Sequence, residues 1–182
     1  MKRRTNQLVV ASLLAAVAIL IPTIMPPFLK VRIPPFTATL ASHVPLIIAM
    51  FISPMAAAFT ALASALGFLL SMTPDVAVRA AAHVFFVLAG AYMIKKKMNF
   101  LYVVSVTLLL HVASDMVAVI AYSAISGIQL FDPAALTATM ILIGIGTSIH
   151  HIVDFIIAFF VVKVLKRANL LESDYPLPFS KG

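Results

Sequence analysis

Apolar residues run through the chain in long blocks, each close to the ~20 positions a helix needs to cross a bilayer, cut by proline, lysine or aspartate. The first, residues 7–25, follows Lys2, Arg3 and Arg4 and is closed by Pro26 and Pro27. Its flank is that of a secretory signal, but Ala16 and Ala18 lie inside the apolar stretch and no small-x-small cleavage site follows it, so it reads as a retained helix. A proline-rich connection, 26–36, carries Lys30 and Arg32. The second block, 37–52, ends at Ser53-Pro54, and the third, 55–72, precedes Thr73-Pro74-Asp75. A fourth begins near Val76 and stops at Lys95, Lys96 and Lys97; a fifth covers 100–122. After a polar connection with Gly127, Gln129 and Asp132, the last block, 133–165, exceeds one span. It is therefore tilted, bent near Gly144 and Gly146, or begins outside the hydrocarbon. The pattern predicts an all-α integral membrane protein, a compact bundle of about six transmembrane helices.

Composition removes the soluble alternatives. Of 182 residues, 63% are hydrophobic and 10% charged, whereas a soluble domain carries roughly a quarter charged residues. The whole chain, 1–182, reads as one membrane domain ending in a short tail, 168–182, and its function sits within the bundle or on its rims. Without cysteine there is no disulfide framework, iron–sulfur cluster or thiolate zinc site. A net charge of +7 suggests nucleic acid until the cations are placed. They stand at the ends of apolar blocks: six crossings put the N-terminus, the Lys95 cluster, Lys163, Lys166 and Arg167 on one side, and Lys30 and Arg32 on the other. The positive-inside bias assigns both termini to the cytoplasm, which explains the basic balance by orientation and leaves a nucleic-acid partner without support.

Polar groups inside the hydrocarbon are costly and tend to mark function. His43 stands alone on the second block and reads as structural. The last three helices each carry a polar stripe with four-residue spacing, which places both members on one helical face. These are Arg79 and His83, His111 and Asp115, and His150 and Asp154, with His151 adjacent. At about 1.5 Å per residue, Arg79, His83 and Asp115 lie in the outer half, and His111, His150 and His151 near the midplane. The layout is a cup open to the outside, with a charged upper wall and a histidine floor. Arg79 and Asp115 either neutralise one another between helices or contact a ligand, and the two roles are compatible. His83 and His111 are interhelical hydrogen-bonders or ligand contacts. His150, His151 and Asp154 have the chemistry for a zinc or nickel site, but adjacent histidines point about 100° apart on a helix. In the alternative, one of the two histidines faces the cavity while Asp154 fixes an imidazole tautomer.

The N-terminal half has a different texture. Ala11 and Ala15 have small-xxx-small spacing, continued by Ser12 and Ala16, and Ala57, Ala61 and Ala65 repeat it on the third helix. Small residues let helix backbones approach closely in lipid. Internal packing accounts for the third helix, and docking against a separate protein competes with it for the first. No P-loop, His-Glu-x-x-His or Gly-x-Ser-x-Gly motif occurs, and Gly144-x-Gly146 lies inside an apolar helix. The chain is a binding cup without a motor.

These features resemble the substrate-binding S components of energy-coupling factor (ECF) transporters, which are bacterial vitamin importers. The resemblance covers most of the chain: six helices, cytoplasmic termini, the Ala11-x-x-x-Ala15 surface and a polar C-terminal half. The segment Ala41-Ser-His-Val-Pro-Leu-Ile-Ile-Ala-Met-Phe-Ile-Ser-Pro54, Arg79-Ala-Ala-Ala-His83 and Gly146-Thr-Ser-Ile-His-His-Ile-Val-Asp154 are most like the niacin-type branch. The resemblance implies a multi-pass protein of the bacterial plasma membrane, not an enzyme and without a cofactor, that captures a small vitamin tightly from outside. Nicotinate is the first expectation, and another vitamin or precursor the alternative. Helices 1–3, residues 1–75, would dock through Ala11 and Ala15 onto a membrane scaffold subunit joined to two cytoplasmic ATPases. Helices 4–6, residues 76–182, would hold the substrate in the region of Arg79, His83, His111, Asp115, Tyr122, His150 and His151. An intramembrane metalloenzyme built on His150, His151 and Asp154 is the alternative from another class.

Overall fold

The computed structural model describes residues 2–33, 36–127, 132–171 and 173–178, with the backbone alone for Lys2, Arg3 and Arg4. Gln129 of the expected polar connection and the end of the expected tail, from residue 179, lie outside the described residues. The elements in chain order are α1 (Lys2–Ile24), a 3-10 turn (Pro27–Leu29), β1 (Lys30–Ile33), β2 (Phe36–Thr39), α2 (Val44–Met50), α3 (Pro54–Ser71), α4 (Pro74–Lys95), α5 (Phe100–Ser126) and α6 (Pro133–Arg167). Five of the helices, all but α2, are long and apolar enough to cross a membrane.

Local sequence explains where these helices begin. Pro54, Pro74 and Pro133 occupy first-turn positions, where a missing N–H costs nothing. Ser53 Oγ accepts the Ala56 N–H, Asn99 Oδ1 that of Leu101, and Asp132 Oδ2 that of Ala135. Gly127, at φ +72°, closes α5 in the left-handed conformation.

The second apolar block departs from expectation. Residues 37–52 do not form one helix: Phe36–Thr39 pair with Lys30–Ile33 as an antiparallel hairpin, and only the seven residues of α2 are helical. Two physical causes are visible. Thr37 and Thr39 favour extended backbone, and Pro45 in the first turn of α2 sets the helix start at Val44. Between them Ala41 adopts φ +64°, a turn that α6 holds through Asp154. Every residue of α2 is buried, which is the condition under which short or irregular backbone is tolerated at membrane depth. The protein is therefore mostly helical, with a two-stranded hairpin that the all-α expectation lacked.

Contacts give the direction of each element. Gln7 and Pro54 border one cavity, and Ile19 touches Gly67, so α1 and α3 run parallel. The chain returns between them through the hairpin and α2. Arg79 meets Asp115 while Gly90 meets Thr107, which makes α4 and α5 antiparallel; Asp115 with Thr147 and Phe100 with Phe159 do the same for α5 and α6. As a result Gln7, Lys95, Lys97 and Tyr175 border the same cavity at one rim. There Lys166 Nζ donates to Tyr175 O, and the Tyr175 hydroxyl donates to Met98 O. At the opposite rim Lys30 Nζ donates to Pro22 O, and Arg32 Nη2 lies 3.6 Å from Met72 Sδ.

The seam between α1 and α3 is built from small residues. Ala11, Ala15 and Ala18 on α1 and Ala57, Ala61 and Ser64 on α3 are all buried. A Cβ at Gly67 would stand 2.6 Å from Ile19 O, so only glycine lets these backbones come so close. Gly146 on α6 has a different use from the expected bend. A Cβ there would lie 2.6 Å from the Phe36 ring, so its missing side chain is the notch that receives the hairpin.

Candidate functional site

All five histidines of the chain meet in the interior, on four separate elements. His43 precedes α2, His83 sits on α4, His111 on α5, and His150 and His151 on α6. The His43 ring lies 4.6 Å from those of His83 and His111 and 4.5 Å from that of His150, centroid to centroid. Four of the five are below one tenth exposed, and the His150 side chain retains 11%.

Above this floor lies a charged layer. Arg79 Nη2 donates to Asp115 Oδ2 at 2.9 Å, and Thr147 Oγ1 donates to the same oxygen at 2.9 Å. The other carboxylate oxygen, Asp115 Oδ1, is 3.4 Å from His83 Nε2. The Arg79 guanidinium also rests over the Phe36 ring, 5.9 Å from its centroid. The ion pair is buried, and Thr147 adds a second hydrogen bond to the Asp115 oxygen that Arg79 holds.

The cavity between the layers is about 20 Å³, room for about one water-sized group. Arg79, His83, His111, Asp115 and His150 line it, joined by His43, Ser42, Thr147 and Phe36. Phe36, Thr37, Ala38 and Thr39 of the hairpin and Phe68 of α3 form its roof and side. The lining thus draws on residues from both sides of position 75.

Two of the residues expected to touch substrate stand elsewhere. His151 points behind the cavity, with Nδ1 3.0 Å from His111 Nδ1 and Nε2 3.3 Å from Thr107 Oγ1, against Phe86 and Phe155. Tyr122 is half-buried, about 10 Å along α5 from Asp115, and does not line the cavity. Conversely, sequence reasoning set His43 aside as structural, and the structure puts it at the centre of the cluster. The available signal was Pro45: a helix that starts at Val44 leaves His43 at its mouth instead of on its wall.

Asp154 lies nearer the His43 imidazole than that of His150 on its own helix, whose Nε2 is 3.6 Å from Oδ2. Its Oδ2 lies 3.1 Å from His43 Nδ1 and accepts the His43 backbone N–H at 2.9 Å; its Oδ1 accepts the Ala41 N–H at 2.9 Å. Ser42 Oγ and His150 Nε2, 3.2 Å apart, complete the contact between this turn and α6. The triad of His150, His151 and Asp154 does not assemble, because His151 turns toward α5. Instead two other groups bring potential ligand atoms within 4.8 Å of one another: His43, His83 and His111, and His43, His150 and Asp154.

On α1, Ala11 and Ala15 face inward, while Val9, Ser12, Leu13, Ala16, Val17 and Leu20 are exposed.

A lipid-facing helical bundle that encloses a charged, histidine-floored cavity beneath a hairpin defines a multi-pass membrane protein built to handle a small polar solute. The chain is 34% identical over 175 residues to the niacin transporter NiaX of Lactococcus lactis subsp. cremoris (strain MG1363), across 92% of this chain and 78% of that protein. No protein-family model and no solved structure matches it. The chain belongs to this family of niacin transporters, the niacin-type S components that its sequence resembles, and it is a transporter, not an enzyme. The metalloenzyme alternative is set aside with that.

Proposed function

We propose that this chain captures niacin as the nicotinate anion and acts as the S component of an energy-coupling factor importer. The observation that carries the reading is a buried guanidinium, Arg79, at the wall of a cavity floored by imidazoles. Nicotinate presents a carboxylate and, at the meta position of the ring, a pyridine nitrogen. The carboxylate pairs with the Arg79 fork, whose five N–H donors can serve two carboxylates at once. The ring nitrogen, an acceptor, meets an imidazole N–H of the floor, for which His150 is the candidate. His151 supports His111 from behind, and Tyr122 lies toward the outer approach. A cavity of about 20 Å³ must widen to admit the ring, and the hairpin is the element to move, since the Phe36 ring is seated against the Gly146 notch and the Arg79 guanidinium without a hydrogen bond.

The orientation follows from charge. The rim with Lys95, Lys96, Lys97, Lys163, Lys166 and Arg167 faces the cytoplasm and the hairpin faces outward, which puts both chain ends inside. The chain has no ATP-binding motif, so uptake draws on a membrane scaffold subunit and two ATPases, with docking through the exposed small face of α1 at Ser12 and Ala16, because the expected docking residues Ala11 and Ala15 are buried in the seam with α3. Calorimetry of the detergent-solubilised protein with nicotinate, nicotinamide and unrelated vitamins tests capture; the reading fails if no pyridine carboxylate binds. Proteoliposome uptake with and without scaffold and ATPases tests the importer assignment, which fails if the chain alone accumulates substrate.

A further inference from the structure

Proton positions in the histidine cluster follow from its hydrogen bonds. The single hydroxyl hydrogen of Thr107 is given to Val103 O at 2.7 Å, so Thr107 Oγ1 accepts from His151 Nε2–H. Neutral His151 then presents a lone pair at Nδ1, which accepts from His111 Nδ1–H at 3.0 Å. Neutral His111 in turn keeps an unprotonated Nε2, 3.8 Å from Asp115 Oδ2, too far for a hydrogen bond and with an acceptor on each side. His83 has Nε2–H toward Asp115 Oδ1, which leaves its buried Nδ1 a lone pair with no hydrogen-bond partner among the described residues. His43 Nδ1 lies 3.1 Å from Asp154 Oδ2 without a well-aligned hydrogen bond, and a proton placed there, next to the carboxylate, leaves Nε2 with the lone pair.

Three imidazoles on three elements therefore each hold one lone pair, that of His83 buried without a partner among the described residues, and one ring nitrogen of each residue lies within 4.8 Å of one from each of the others. A buried acceptor without a donor, such as His83 Nδ1, is unfavourable, and a cation shared by the three rings relieves it. We propose that His43, His83 and His111 bind one divalent first-row transition metal ion of the Zn²⁺ or Ni²⁺ class. Imidazole nitrogen suits these ions, with metal–nitrogen bonds of about 2.0–2.1 Å that put ligand nitrogens about 3.4 Å apart. Closing from 4.8 Å takes ring rotations of about an ångström. The supporting contacts match those of a metal site. Asp154 orients His43 as a carboxylate behind a metal-bound imidazole, His151 does so for His111, and Asp115 for His83. Three protein ligands leave a fourth position open to the cavity. The site stands whether or not the cavity takes nicotinate, so metal and vitamin titrations fail separately.

The test uses the full chain, purified in detergent on a tag without histidine, stripped with chelator and titrated with Zn²⁺ by calorimetry. One equivalent should bind, and His83→Gln should weaken binding at least tenfold. Co²⁺ loading of the unmodified chain should add the visible d–d bands of a nitrogen-rich, four- or five-coordinate ion, a readout that does not depend on any variant folding. Failure of the stripped protein to take up Zn²⁺, absence of the Co²⁺ bands, or unchanged Zn²⁺ binding in a folded His83→Gln protein overturns the proposal.

Discussion

Asp154, in the middle of α6, holds His43 by both backbone and side chain: one carboxylate oxygen, Oδ2, accepts the His43 N–H at 2.9 Å and lies 3.1 Å from His43 Nδ1. The other accepts the Ala41 N–H at 2.9 Å, so a single side chain caps the start of α2 and fixes the turn that brings His43 to the cavity. Asp154→Ala leaves two amides without their acceptor, each costing about 1–3 kcal/mol, and should lower the unfolding temperature in detergent by about 5–15 °C. Asp154→Asn keeps one acceptor oxygen and should lose less. Equal melting of Asp154→Ala and the unmodified chain in a thermal-shift assay would show that the turn is held some other way.

Arg79→Ala should weaken nicotinate binding at least tenfold, since a charge-assisted hydrogen bond is worth about 1.5–3 kcal/mol net. The substitution also leaves Asp115 without its partner at 2.9 Å. Arg79→Lys keeps the charge but not the planar fork, so its affinity should fall between the two. Calorimetry gives all three values, and a folded Arg79→Ala protein that binds nicotinate normally would place the carboxylate elsewhere.

Gly146→Ala separates entry from binding. The new methyl would stand 2.6–2.8 Å from ring atoms of Phe36, which is the far end of a side chain that can move, so the hairpin shifts while the bundle holds. Nicotinate association and dissociation should both accelerate in stopped-flow measurements, with a small change in melting temperature. Unchanged rates would mean that the hairpin does not cover the path to the cavity.

The membrane class and the helix-rich bundle were legible because lipid imposes long apolar blocks, and the starts of α3, α4 and α6 because proline marks them. The site was legible as far as four-residue spacing carries: Arg79, His83, His111 and Asp115 share helical faces and do line one cavity. The same spacing misplaced His151, because residue order along a helix gives depth, and rotation toward α5 is set by its partners Thr107 and His111. The hairpin was missed for a related reason. Residues 37–43 are apolar enough for a helix, and the turn after Thr39 that keeps them out of one is held by a carboxylate more than a hundred positions away, which accepts the Ala41 and His43 N–H groups. His43 acquires its place only through that contact. Niacin-type identity came from whole segments, not from any one pocket residue.

Docking through α1 can be tested without disturbing the bundle, because the helix has two small faces with different neighbours. Ala15 is 4% exposed and sits in the seam with α3, where backbones approach too closely for a larger side chain. Ala15→Trp therefore overpacks the interior, a change that costs about 1–3 kcal/mol or more, and should lower yield and melting temperature before any question of docking arises. Ala16, one position on, faces outward beside Ser12 and Leu13. Ala16→Trp should leave melting temperature and nicotinate affinity unchanged, because the residue touches neither seam nor cavity. In proteoliposomes that also contain the scaffold and the ATPases it should abolish uptake, since the indole keeps the two helix backbones apart. Normal uptake by a folded, nicotinate-binding Ala16→Trp protein would move the docking surface off this face of α1.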